Sequence, residues 1–136
     1  MANRNSLRLV VGVAAFLLVG CVSTYKMPGL PGGGLSEIAV LEHQDKSLNS
    51  KFFIIKIDGR VRGIGWVDRF ELIPGRRAIT GEINRAYFRG NNIVRYFTAE
   101  AGKSYLFVAR GDLEAKRWDF AIIDKVTGER VDSAAP

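Results

Sequence analysis

Arg69-Phe70-Glu71-Leu72-Ile73-Pro74-Gly75-Arg76-Arg77-Ala78-Ile79-Thr80-Gly81-Glu82-Ile83 is the stretch that decides the fold. Between Arg69 and Ile73 charged and apolar residues alternate, with Phe70 and Leu72 facing one way and Arg69 and Glu71 the other. Successive side chains of a strand point to opposite faces, so this is the period of a half-buried strand. Pro74-Gly75 supplies a fixed φ followed by a permissive residue, the chemistry of a type II turn. Beyond it Arg77 to Ile83 alternates again, with Ile79 and Ile83 inward and Thr80, Glu82 and Asn84 outward.

Outward from this stretch the pattern repeats. Ile38 to Leu41 is a short apolar run, and Lys51 to Asp58 is rich in Phe and Ile and ends on the hairpin pair Asp58-Gly59. Gly90-Asn91-Asn92 precedes a strand over Ile93 to Thr98, and Gly102-Lys103 precedes another over Ser104 to Ala109. Arg117 to Asp124 puts Trp118, Phe120 and Ile122 on one face. Strands spaced roughly 8–12 residues apart, with turn signals between them, predict an all-β fold. The expectation is a single small antiparallel β-sandwich of about seven strands over residues 36–132. Glu37 to Gln44 is the one segment with an ambiguous period, since Ser36 is placed to cap a helix there. Residues 133–136 are expected to fray.

The N-terminus has a different character. Arg4 and Arg8 precede the apolar run Leu9 to Val19, and Leu18-Val19-Gly20-Cys21 closes it. A charged start, a short apolar core and a small residue at the cut site are the parts of a secretory signal, here residues 1–20. Leu-Val-Gly directly before the single Cys of the chain resembles the lipobox of bacterial lipoproteins. That resemblance implies a diacylglyceryl group on the Cys21 sulfur, cleavage before Cys21 and acylation of the new amine. Three acyl chains anchor essentially permanently, where one gives only marginal binding. Val22 rather than Asp follows the Cys, which in a Gram-negative cell implies the outer membrane. Residues 21–35 hold Pro28-Gly29-Leu30-Pro31 and Gly32-Gly33-Gly34, and read as a flexible tether spanning on the order of 20 Å.

Removing the signal from the 136 residues leaves 116, one domain's worth, and lowers the formal charge from +6 to +4. With Cys21 acylated, no disulfide is available, so the core must hold by packing. From Arg60 to Arg95 there are eight Arg, no Lys and three acids, a local net of +5. Arg offers a planar fork that pairs bidentately with phosphate or carboxylate. In an exported chain the anions within reach are lipid phosphate, lipopolysaccharide or acidic glycan; nucleic acid is not an expected partner. Arg60, Arg62, Arg69, Arg76 and Arg77, with Trp66, form the candidate partner or anion surface. Trp66 follows Gly63 and Gly65 and reads either as core or as an anchor beside the Arg cluster. Trp118 shares parity with Phe120 and Ile122 and reads as core.

No residues announce a reaction. His43, the only histidine, has Glu42 and Asp45 nearby but no nucleophile in an elbow, and reads as a solvated loop residue. One His and no free Cys speak against zinc or copper. The Gly59–Gly65 stretch lacks the Lys-Ser/Thr of a phosphate cradle. No catalytic residue, cofactor or metal is expected.

Ile57-Asp58-Gly59, Trp66, Phe70 to Arg76, Ala101-Gly102-Lys103-Ser104-Tyr105 and Trp118 to Asp124, in that order, resemble small bacterial lipoproteins with a PEGA-like or prealbumin-like sandwich. The likeness covers most of residues 38–130. It implies a fold and no catalytic residues; where that family often has His two residues beyond Pro-Gly, this chain has Arg77. The expected function is a non-enzymatic envelope lipoprotein whose sandwich binds a protein partner or a second copy at the membrane. The alternative is an anionic-ligand module using the 60–95 segment.

Overall fold

Asp58 and Gly59 both take positive φ, 50° and 76°, which lets the chain reverse in two residues. They join β3 (Phe52–Ile57) to the short edge strand β4 (Arg60–Val61). The computed structural model describes residues 23–46, 51–63, 65–84, 86 and 90–136. The remaining strands are β1 (Thr24–Lys26), β2 (Ala39–His43), β5 (Arg69–Leu72), β6 (Gly75–Ile83), β7 (Ile93–Ala99), β8 (Ser104–Asp112) and β9 (Arg117–Asp124). They form two sheets, ordered β1-β5-β2-β8-β9 and β4-β3-β6-β7, packed face to face as an all-β sandwich. A single 3-10 turn, Leu35–Glu37, precedes β2 among the described residues.

The core follows from the alternation. Leu41, Phe70, Leu72, Phe107, Phe120 and Ile122 point inward from the five-stranded sheet and meet Ile54, Ile57, Ile79 and Phe97 from the other. Ile54 and Ile57 both face in although they are three residues apart, because the β3–β6 register shifts between Ile54 and Lys56. A bulge of this kind restores the inward parity. Tyr105 is also inside, and its hydroxyl accepts the Glu100 N–H at 3.0 Å, so its polar end is satisfied. Trp118 is partly buried, stacked on Phe52 and Phe120 at the margin of the core.

Pro74-Gly75, with the chemistry of a type II turn, joins strands of different sheets, and Gly75, at φ 127°, turns the corner between them. Three features depart from the sequence reading. The β1–β5 and β2–β8 pairs run parallel, so the sandwich is mixed rather than wholly antiparallel. The supposed tether is docked from Ser23 to Met27. Asp68 donates to the Ser23 carbonyl, Thr24–Lys26 pair with Arg69–Glu71, and Met27 donates to the Glu71 carbonyl. Tyr25 explains the docking, since its ring packs on Phe70 at 5.9 Å.

The third departure is the C-terminus, which is pinned where fraying was expected. After Thr127-Gly128 reverses the chain, Val131 donates to the Ile122 carbonyl, and Ser133 and Tyr96 exchange backbone hydrogen bonds. The segment thus runs from the edge of β9 to the edge of β7 and ties the two sheets together. Asp132 locks it: its carboxylate, with a fully buried side chain, accepts the Ile122 N–H at 2.7 Å and two Arg130 donors.

Candidate functional site

The arginines singled out in the sequence are dispersed by the fold. Arg69 stands on the outer face of the five-stranded sheet, 3.0 Å from Glu42 and 3.6 Å from Glu71. Arg76 and Arg77 belong to the other sheet, and as neighbours in one strand they project to opposite faces. Arg76 donates to Ser133 Oγ and to the Ala135 carbonyl, which holds the C-terminal segment. Arg77 donates to Asp58 Oδ2 at 2.8 Å and to the carbonyls of Ile73 and Pro74, clamping the sheet-switching corner to the β3–β4 hairpin. Arg60 is exposed on β4.

Arg62 acts within the fold too. Its backbone N–H donates to Ile55, its Nε to the Ile54 carbonyl and its Nη1 to the Gly65 carbonyl. Its backbone bond continues the β3–β4 ladder, and its side chain ties the bulged part of β3 to the Gly65 loop. Arg95 donates twice to Asp119 at 2.8 Å. Clustering along the chain therefore does not become clustering on one surface. Arg85 and Arg89 lie outside the described residues.

His43 is the larger correction. It ends β2 on the inward parity of Leu41, is 2% exposed, and packs on Phe107 at 4.8 Å, Trp66 at 5.5 Å and Phe70 at 6.2 Å. Burial, reinforced by the Arg62 charge and opposed by Asp45, lowers its pKa from 6.5 to about 4, so it is a neutral ring at neutral pH. A depression of about 80 Å³ adjoins it, lined by Gln44, Asp45, Phe52, Phe107 and Ala109. This is well below the roughly 300 Å³ at which small-molecule sites begin. Trp66 is neither core nor free surface: partly buried, it covers His43 and meets Phe53 edge-on at 5.6 Å. Among the described residues no group of three His, Cys, Asp or Glu is placed to hold a metal ion.

The outer face of β8 and β9 is the surface the sequence did not isolate. Leu106, Val108, Ala121 and Ile123 occupy its solvent-facing parity, paired across the two strands. Leu106, Ala121 and Ile123 are partly exposed and Val108 is 9% exposed. Charges frame this stripe. On one side Glu42 holds Arg69 and Lys125; burial pushes its pKa up, but the Lys125 hydrogen bond and the charges of Lys46, Lys125 and Arg69 bring it below the ordinary value. On the other side Arg110, Asp119 and Arg130 line a shallow depression of about 180 Å³ that reaches the apolar stripe.

Cys21, the residue expected to carry lipid, and the signal segment 1–20 lie outside the described residues. No helix among the described residues is long and apolar enough to cross a membrane. Compared with known proteins, the chain matches no family model, no curated protein and no solved structure.

Proposed function

We propose that the protein is a non-enzymatic cell-envelope lipoprotein, anchored through Cys21, whose β-sandwich serves as a protein-interaction or assembly module at the membrane surface. The observation that carries the reading is the run Leu18-Val19-Gly20-Cys21 placed directly before the docked segment that begins at Ser23. A signal ending in a lipobox-like Cys, followed at once by a folded sandwich, is the layout of a domain displayed on a membrane. The apolar stripe over Leu106, Val108, Ala121 and Ile123 supports a protein or a second copy as partner, since such residues on a solvent-facing parity suit a docking face. The anionic-ligand alternative is the weaker one, because Arg62, Arg69, Arg76, Arg77 and Arg95 already donate within the chain.

Intact-mass analysis of the mature chain, with crosslinking in whole cells, tests the reading. The expected result is a chain beginning at acylated Cys21 and a crosslinked partner whose recovery falls in Leu106→Arg and persists in high salt. An unmodified Cys21, or crosslinks lost steeply with ionic strength, overturns it.

A further inference from the structure

The segment between Cys21 and the fold is far shorter than its Gly and Pro content suggests. Ser23 is already bonded through its carbonyl to Asp68, and β1 follows immediately along β5. Two residues of chain reach at most about 7 Å. The Pro/Gly-rich residues come after β1, inside the fold's own connections, so they add nothing to the distance between anchor and domain.

We propose that the domain rides directly on the bilayer, with the corner of the sandwich carrying Ser23, Lys46 and Trp66 turned to the lipid headgroups and the Val126 corner turned away. The inference rests on acylation of Cys21. The corner is defined by contacts: Ser23 bonds to Asp68, Asp68 accepts the His43 N–H, and Trp66 lies on the His43 ring. Lys46, with its side chain 57% exposed, reaches Glu42, which also holds Lys125 and Arg69, and Arg69 is paired with Thr24. The chemistry suits the occupant. A partly buried indole belongs at a water–lipid boundary, and the exposed Lys46 ammonium at the same end of β2 faces anionic headgroups. Val126 is 90% exposed in the turn after β9, at the opposite edge of the sheet from β1. Four strand spacings put it about 19 Å across the sheet from β1; from Lys46, which follows β2, it is two spacings, about 10 Å, across and past the opposite end of the strands.

The chain's only cysteine is consumed by the anchor, so one introduced thiol can be labelled alone. Lys46→Cys and Val126→Cys would each be made in the full chain, purified acylated, labelled with a fluorophore and reconstituted into phosphatidylethanolamine–phosphatidylglycerol vesicles carrying a headgroup nitroxide. The label at position 46 should be quenched several-fold more than the label at 126. Inserting about ten Gly and Ser residues between Val22 and Ser23 should shrink that difference, because it restores a long flexible tether. Flotation and intact mass separate the two ways of failing. A chain with no acyl group overturns the anchor and this inference together. An acylated chain that floats with vesicles yet shows equal quenching, or more at 126, overturns the orientation alone.

Discussion

Gly81 of β6 and the Phe120 ring of β9 meet across the sandwich with no room for one more carbon: a Cβ on Gly81 would stand 2.8 Å from Phe120 Cε1 and 3.1 Å from Trp118 Cη2. Both rings sit on the core side, so neither swings out into water at no cost. Gly81→Ala should destabilise the domain by about 1–3 kcal/mol, as overpacking does. Urea unfolding measures it. The cost should be smaller in a Phe120→Leu background, and an equal cost in both backgrounds would show that the ring is not what Gly81 accommodates.

His43 makes stability depend on pH in a definite direction. Its pKa in the fold is about 4 against an ordinary 6.5, so the unfolded chain takes up the proton first. The contribution is fully present above 6.5 and is lost progressively as pH falls towards 4. The gap corresponds to on the order of 3 kcal/mol. Denaturation midpoints between pH 7 and 4 should fall steeply in the parent and more gently in His43→Phe, whose ring takes no proton. Glu42 and Asp119, both held below their ordinary values by cationic partners despite burial, account for a decline that remains at the acid end.

How the sequence encodes this fold is uneven. The two-sheet sandwich, the Asp58-Gly59 hairpin and the inward set Phe70, Leu72, Ile79, Phe120 and Ile122 were legible, because alternation and paired positive φ are local properties. Pairing is not local. Turn chemistry at Pro74-Gly75 announces a bend but does not say which sheet receives the next strand. Parallel β2 and β8 are separated by most of the domain, and nothing in either strand names the other. β1 went unread because three residues, Thr24-Tyr25-Lys26, carry too short a pattern, and only Tyr25 on Phe70 gives them a place. His43 was within reach: it continues the parity of Leu41, and an imidazole among rings needs no charge. The arginines misled because a segment that runs through both sheets scatters its side chains to different faces.

Gly75 sits at the corner between sheets with φ 127°, a conformation that side chains with a Cβ rarely adopt. Gly75→Val should cost about 1–3 kcal/mol through backbone strain. Gly32, where a Cβ would meet nothing within 4 Å and no positive φ is required, is the control: Gly32→Val should stay within about 0.5 kcal/mol of the parent. Equal behaviour of the two variants in thermal unfolding would remove strain as the reason for Gly75.

Asp132 is the lock of the C-terminal segment. Removing its carboxylate leaves the buried Ile122 N–H without a partner and frees Arg130. Asp132→Ala should therefore cost about 1–3 kcal/mol, more than Arg130→Ala, whose side chain is 51% exposed. Hydrogen exchange should show the Tyr96 and Ser133 amides, which bond each other's carbonyls, losing protection before those of β3 and β6. Uniform loss across both sheets would mean that the segment is no separate latch.

The arginine surface gives the last test, because structural and anion-binding roles predict different things for the same side chains. Arg77 makes a charge-assisted bond to Asp58 and two bonds to carbonyls at the corner, and its side chain is 17% exposed. Hydrogen bonds to charged groups contribute about 1.5–3 kcal/mol. Gln keeps part of the stem but cannot span all three acceptors, so Arg77→Gln should destabilise within that range. Arg77→Lys should recover only a fraction, since an ammonium lacks the fork. Arg60→Gln, on the exposed edge strand, should change stability by less than about 0.5 kcal/mol. Binding of the unlipidated domain to anionic vesicles at low salt, measured alongside, separates the roles. If Arg77 is a clamp, Arg77→Gln lowers the melting temperature and leaves vesicle binding within about twofold of the parent. A variant of parental stability that loses most of its binding would return Arg77 to the anion surface.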